Sequence, residues 1–402
     1  MRTVLFVAPF LMEATLKFVQ AAATVQNARI IVLTADTADR VPSGCEHYHV
    51  ADPTNAGQLI AAARAIAKSG PIHRVIGILE NIQEQIAMVR EALGVNGGPD
   101  VATAERFRDK SVMKDALRAA GLPCARHKVL FTQADAHAFV REVGFPVVLK
   151  PPAGAGCKAT YRISDAAGLT AALAEIRPSP DRVVLAEEFV QGDEHCYDAI
   201  TIGGKTVFQN IGRYYPGPLD VTRNDWIQWC VVLPRDISGP EFDAVRKVGP
   251  AVVKALGLRT GMTHMEWFRR PDGAPVVSEI GARPPGAQFV SVMSWVHDRS
   301  LYHAWAQAVI DDRVEGTFER KYAAGVAFLR GSGTGRVSRV ENLERAQALM
   351  GKLVVEAQLP VVGREKGSGY EGDGFVIVRH PDTRVVENAL ETLIETVHVH
   401  YE

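Results

Sequence analysis

Over the first hundred positions, short apolar runs alternate with stretches whose apolar residues recur at helical spacing. Residues 3–9, 29–34 and 74–79 read as strands, and residues 12–23, 57–67 and 83–93 as helices. Strands alternating with helices of this length predict a small doubly wound α/β unit. The first strand runs into Ala8-Pro9-Phe10-Leu11 rather than Gly-x-Gly-x-x-Gly, which removes the usual argument for a dinucleotide site. Glu80 falls where the third strand ends. That place suits a ligand-facing carboxylate, because ligands of open α/β sheets gather at the carboxyl ends of strands; it equally suits an acidic charge at a helix N-terminus.

The pattern then changes. A helix over 109–120 is stopped by Gly121-Leu122-Pro123, a strand over 126–131 and a helix over 134–143 follow, and an apolar strand over 144–150 delivers Lys150 into Pro151-Pro152-Ala153-Gly154-Ala155-Gly156-Cys157-Lys158-Ala159-Thr160. Small residues let backbone N–H groups approach an oxyanion, and Lys150 can add charge to the same phosphate. The loop is not of the Gly-Lys-Ser/Thr kind that opens a helix, and an ordinary turn accounts for it as well.

Further along, residues 183–190 form a strand ending at Gln191-Gly192-Asp193-Glu194, and a hairpin about Gly203-Gly204 joins 196–202 to 206–211. Residues 213–229 carry Tyr214, Tyr215, Pro216, Pro218, Arg223, Trp226 and Trp229, a composition that suits either a substrate-lining insertion or a packed cover over a sheet. A helix over 242–256, then helices over 301–310 and 383–397 with strands over 323–329, 353–357 and 374–378, complete an α+β closing unit.

Between them lies the stretch with the clearest chemistry, residues 263–288. Two β-branched and aromatic runs flank Pro271-Asp272-Gly273, and Asp-Gly between such runs is a strong hairpin signal. With Asp272 and Gly273 as the central turn residues, Glu266 falls opposite Glu279 and His264 opposite Gly281. Opposed side chains stand roughly 5 Å apart at Cβ, so two carboxylates there repel unless a cation lies between them. Mg2+ fits, since it takes hard oxygen ligands, commonly one or two carboxylates completed by water and phosphate. Arg283 shares the face of Glu279 and Gly281 if the strand continues, although Pro284-Pro285 must end it soon. An exposed hairpin with scattered charges is the plainer alternative.

Composition narrows the class. The 402 residues are 47% hydrophobic and 23% charged, with net charge −1, so sizeable cores fit and there is no bulk electrostatic case for nucleic acid or an anionic membrane. No apolar run approaches the roughly 20 residues that span a bilayer, and Met1-Arg2 leads directly into a strand, so a cytoplasmic protein is expected. Five scattered cysteines without a Cys-x-x-Cys pair read as free thiols, and the histidines include no His-Glu-x-x-His.

Asp109-Lys110 opening a helix, Lys150 with its small-residue loop, Glu187-Glu188-Phe189-Val190 followed by Glu194, and the hairpin of Glu266, Glu279 and Arg283 occur in this order and at these spacings. Together they resemble the ATP-grasp superfamily, and within it the carboxylate-amine ligases of the L-amino acid ligase kind. The resemblance implies an α/β and α+β chain in three parts: a Rossmann-like N-terminal domain over 1–104, a central lid domain over 105–192, and a C-terminal α+β domain over 193–402. It implies ATP and Mg2+, with Mn2+ able to substitute. Lys110 and Lys150 would contact the phosphates under a lid that includes Gly154, Gly156 and Lys158. Glu187 would take the adenine amino group, Glu188, Phe189 and Val190 would line the adenine, and Glu194 would hold the ribose. Glu266 and Glu279 would bind metal and Arg283 would face the transferring phosphoryl group, with His264 and Glu80 as candidates for handling the amine.

The implied reaction joins a small carboxylate to an amine through an acyl phosphate, and the resemblance leaves room for a homodimer. Three departures stand out: Gly281 replaces an Asn common in the family, Lys158-Ala159 stands where a further loop Gly is common, and His264 replaces a strongly basic residue. A carboxylating enzyme working through carboxyphosphate and a nucleotide-binding regulator without turnover are the alternatives, although the Gln-Val-Glu-His run of biotin carboxylases is absent after Arg283.

Overall fold

The computed structural model describes residues 1–153, 159–367 and 369–402. Strands β1 (Arg2–Val7), β2 (Ala28–Thr34), β3 (Cys45–His49) and β4 (Ile72–Ile76) form a parallel sheet in the order β3-β2-β1-β4. Helices α1 (Glu13–Ala23), α2 (Ala56–Ala67) and α3 (Gln83–Leu93) accompany it. Strand β1 is buried on both sides because alternate residues serve different cores: Leu5 and Val7 pack with α2 and α3, while Val4 and Phe6 pack with α1. Edge strand β3, Cys-Glu-His-Tyr-His, has no apolar run to announce it and went unpredicted.

Asp100 and Asp109 cap two short helices, α4 (Val101–Arg108) and α5 (Lys110–Ala119), each side chain accepting from N–H groups of the first turn. A second, antiparallel sheet follows in the order β5-β8-β6-β7, built from β5 (His127–Leu130), β6 (Val147–Lys150), β7 (Tyr161–Ile163) and β8 (Val184–Glu188). Helices α6 (Gln133–Val143) and α7 (Ala166–Ile176) cover one face, burying Val147, Leu149, Val184 and Ala186. Period two then sends Val148, Lys150 and Glu187 to the opposite face, where all three border a cavity.

The third sheet has eight strands in the order β13-β12-β9-β10-β11-β14-β17-β16. Its members are β9 (Asp193–Ile202), β10 (Lys205–Tyr215), β11 (Cys230–Leu233), β12 (Gly261–Arg269), β13 (Pro275–Gly281), β14 (Ala323–Leu329), β16 (Val354–Gln358) and β17 (Gly374–His380), while β15 (Val337–Glu341) pairs with β18 (His398–Tyr401) in a separate ribbon. The stretch 213–229 is not one insertion: its start completes β10, and Pro218 opens the short helix α8 (Pro218–Arg223). Helix α9 (Asp243–Leu256) and α5 cover one side of the sheet around Tyr197, Met265 and Trp267. On the other side, α10 (Phe289–His297) and α11 (Leu301–Asp311) share a single core with α1 and β1, Phe18 meeting Trp305 edge to face at 5.0 Å. The N-terminal sheet is therefore welded to the last third of the chain. Helices α12 (Leu343–Met350) and α13 (Thr383–Thr396) close the outer end.

Among the described residues no helix is long and apolar enough to cross a membrane, and Cys45, Cys124, Cys196 and Cys230 are free thiols. Cys157 lies outside the described residues.

Candidate functional site

The hairpin forms with Glu266 opposite Glu279 and His264 opposite Gly281, but its turn differs from expectation. Arg269 pairs with Pro275 and Trp267 with Val277, one residue out of the expected register, because the loop holds three residues: Arg270 N–H donates to Ala274 at 3.0 Å and Gly273, at φ +84°, donates to Arg270 at 2.8 Å. A bulge at Ser278 inserts the compensating residue, and beyond it the two glutamates stand opposed. The carbonyl displaced at the bulge does not go unpaired: Lys114 Nζ, on a side chain with no exposed surface, donates to Ser278 O at 2.7 Å. The N–H of Val277 donates to Pro123 O at 2.9 Å.

Three lysines and two glutamates then interlock. Glu187 lies between Lys150, at 2.9 Å, and Lys114, at 3.3 Å, while Lys110 pairs with Glu279 at 3.1 Å. Burial works against the charge of Glu187, but Lys114 and Lys150 outweigh it and hold the carboxyl below its usual range. Burial likewise opposes the charge on Glu279, and Lys110 and Lys150 overcome it, bringing the group down to about 2. Its partner Glu266 goes the other way, raised by burial and then by the negative charge of Glu279. Glu194, on β9, is raised well above the usual range by burial and by Glu266 and Glu279 together. Two facing carboxylates thus have unequal environments, one neutralised by lysines and one left wanting a cation.

Arg283 lies beyond the end of β13, and its Nε donates to Glu80 Oε2 at 2.7 Å. Glu80 begins a single 3-10 turn leading into α3, four residues past the end of β4, which stops at Ile76 short of the expected residue 79, so Glu80 is a helix-entry charge on the loop that leaves the strand. His264 Nδ1 is 2.6 Å from Asp198, a carboxylate with no exposed surface that also accepts from Asn210 at 2.9 Å. The ring's other nitrogen faces the Tyr214 hydroxyl at 3.5 Å and Glu266 at 3.9 Å. Glu188 is tied to Arg126 through both carboxylate oxygens, Phe189 lies under the Arg162 guanidinium at 4.1 Å, and Val190 is buried beside Ala125 and Val276.

One cavity of about 500 Å³ gathers these groups: Glu80, Lys110, Lys150, Glu187, Glu188, Phe189, Val190, Glu194, His264, Glu266, Glu279 and Arg283 all line it. Gly154, Gly156 and Lys158 lie outside the described residues. Reading the sequence missed three participants. Lys114 shares the buried face of α5 with Lys110, Met113 and Leu117, and two lysines at i and i+4 among apolar neighbours were its signal. Asp198 is the lone charge inside the apolar run of β9. Glu371 sits at the tip of Gly369-Tyr370-Glu371-Gly372 and lines the same cavity.

Residues 143–291, the stretch holding this network from Lys150 to Arg283, match the family model described as an ATP-grasp domain. The chain has an ATP-grasp fold. An L-amino acid ligase structure from Bacillus licheniformis superposes with a TM-score of 0.82 at 20% identity, covering 100% of this chain and 99% of that one. The N5-carboxyaminoimidazole ribonucleotide synthetase structure from Thermotoga maritima gives 0.73 at 20% identity, covering 100% of both. By sequence, a Sinorhizobium fredii protein named y4rH is 26% identical over 380 residues, 91% of this chain and 77% of its own length. The L-arginine-specific L-amino acid ligase of Bacillus subtilis is 24% identical over 263 residues, 64% of this chain and 62% of that enzyme. In this chain the hairpin belongs to the matched domain, whereas Glu80, Tyr302 and Glu371 reach the cavity from outside it.

Proposed function

We propose that this ATP-grasp protein is an ADP-forming carboxylate-amine ligase acting on an amino acid or another small carboxylate. The observation that carries this reading is the convergence of Lys110, Lys150, Glu266, Glu279 and Arg283 on one cavity. The donor set fits a nucleotide with a hard dication. Glu266 is a half-buried carboxylate held above its usual range by lost solvation and then by the like charge of Glu279, which a dication relieves, and among the described residues no third acidic or histidine ligand joins the pair. Mg2+ accepts one or two carboxylates and completes its shell with water and phosphate. When bound, it would polarise the phosphoryl oxygens and neutralise charge developing there.

In this reading Lys110 and Lys150 bind the phosphates, each exchanging a carboxylate partner for phosphate oxygen. Glu187, Glu188, Phe189, Val190 and Glu194 border the place for the nucleoside. A substrate carboxylate oxygen attacks the γ-phosphorus, the bond to the bridging oxygen breaks, and ADP leaves. An amine then attacks the acyl carbon, phosphate departs with the bonding pair, and the amine loses a proton. The Arg283 fork, held by Glu80, faces the oxyanion charge of both steps. His264 and Glu80 border the same space and are assigned to orienting or deprotonating the amine. The chain supplies position and charge rather than covalent chemistry.

A second reading, carboxylation through carboxyphosphate, draws on the similarity to the N5-carboxyaminoimidazole ribonucleotide synthetase fold. Phosphate release from ATP and Mg2+ against a matrix of amino acids and small carboxylic acids, with product masses, separates the two. Release that requires an added carboxylate and amine, with a condensed product, supports the ligase; release that requires bicarbonate defeats it.

A further inference from the structure

The charged groups of the cavity are almost all committed. Lys110 has Glu279, Lys150 has Glu187, Arg283 has Glu80 and Glu188 has Arg126. Glu371 is the exception on the side away from the lysines. Among the described residues no cation pairs with it, and it is exposed and lines the cavity. Lost solvation from the surrounding cavity walls raises its pKa. An ionised carboxylate so placed is costly until a positive group reaches it.

Its neighbours define what can reach it. Tyr370, the preceding residue, sets its ring 4.9 Å from Trp229 and lies close enough to Arg283 for their charges to interact. The loop that carries Glu371 therefore brings Tyr370 toward Arg283, and Glu371 lines the same cavity as both. Phe18 and Tyr302, ring centroids 4.8 Å apart, line the same cavity, as does Leu79. A guanidinium, a carboxylate and aromatic rings lining one cavity are the complement of a small molecule with a carboxylate at one end and a cation at the other.

We infer that Glu371 recognises a positively charged group, an ammonium or guanidinium, on the substrate whose carboxylate faces Arg283. The carboxylate substrate is then an amino compound and not a simple carboxylic acid. This rests on the ligase reading for the place of the carboxylate, but it predicts binding as well as turnover, and binding can be measured alone.

The test uses the full chain with a non-hydrolysable ATP analogue and Mg2+, titrated calorimetrically with L-lysine, L-norleucine, 6-aminohexanoate and hexanoate. The four share a carbon chain and differ only in which ammonium groups they carry. Lysine is expected to bind roughly 10- to 100-fold more tightly than hexanoate. Glu371→Gln should erase that difference, and Glu371→Asp should keep part of it. Norleucine binding better than 6-aminohexanoate assigns Glu371 to the α-ammonium, and the reverse order to a side-chain cation. The inference is overturned if hexanoate binds as well as lysine, if no cation-bearing ligand binds, or if Glu371→Gln leaves the ranking unchanged. Failure of the ligase reading appears differently, as intact Glu371-dependent binding with no phosphate released from ATP.

Discussion

The carboxylate of Glu80 stands where a side chain on Gly281 would begin: its Oε2 lies 2.8 Å from the position of a Cβ on residue 281. Gly281 is a strand residue, so its backbone does not call for glycine; the space does. A longer side chain there competes with the Glu80 carboxylate for the same space, and since that carboxylate ends a flexible side chain, Glu80 is the group that gives way. Where Asn is common in the family, this chain lets a carboxylate from 201 residues away occupy the room.

Gly281→Ala should therefore push Glu80 aside and free Arg283, lowering kcat by about tenfold with little change in ATP affinity. Glu80→Ala should do much the same. Since both act through one contact, the double variant should be no worse than the poorer single one. Additive losses in steady-state kinetics would show that the two positions act separately.

Glu266 and Glu279 should respond to amide substitution in opposite directions. The folded-state pKa of Glu279 is depressed to about 2 from 4.5, so its stabilising contribution is complete above pH 4.5 and is lost as pH falls through about 2. The folded-state pKa of Glu266 is raised, so ionising it opposes folding, and that penalty is absent below the ordinary carboxyl range and grows as pH rises through it. At pH 7, Glu279→Gln should destabilise the ligand-free protein by about 1–2 kcal/mol after screening, and Glu266→Gln should stabilise it while abolishing turnover. The gain from Glu266→Gln should disappear by pH 4. Thermal unfolding across that range decides it: a destabilised Glu266→Gln at pH 7 would contradict the assignment.

Lys114 does no proposed chemistry, yet its ammonium ties the Ser278 bulge to Glu187. Lys114→Met should cost about 3 kcal/mol, since Glu187 keeps only Lys150 and the Ser278 carbonyl loses its donor inside the fold. The unfolding midpoint should drop by several degrees, and the KM for ATP should rise because Lys150 is drawn more firmly to Glu187. A variant as stable as the wild type would mean that water replaces the ammonium at no cost.

Acyl phosphate formation leaves an isotopic record. Oxygen-18 in the substrate carboxylate must appear in the released phosphate, and the nucleotide product must be ADP; AMP with pyrophosphate would defeat the reading. Arg283→Lys keeps the charge but loses the fork, and should lower kcat by roughly 10- to 1000-fold while ATP binding holds. A change confined to the KM of one amino acid would make Arg283 a substrate anchor instead.

Much of this protein is written locally. The β-α-β alternation of the first hundred residues, the apolar strand that ends in Lys150 and the hairpin carrying two glutamates follow from periodicity and turn chemistry, which depend on residues within a few positions of one another. Even so, Glu266 meets Glu279 without the two-residue turn that Asp272-Gly273 predicts. A three-residue loop and the Ser278 bulge offset each other, and the bulge is held by Lys114, 164 residues earlier.

What the tertiary structure alone decided has one physical cause: the meaning of a charged side chain depends on what packs around it. In sequence Lys114 is a lysine on a helix, Asp198 a polar interruption in a strand and Glu371 the tip of a glycine-rich loop. Packing makes the first a buried tie and the second the partner of His264, and leaves the third as a carboxylate lining a cavity with no cation paired to it among the described residues. Glu80 meets Arg283 because α1 and α11 share one core, bringing the N-terminal sheet against the hairpin. The alternation of apolar and polar residues determines which elements form; which distant charges meet is settled only when those elements bury their faces against one another.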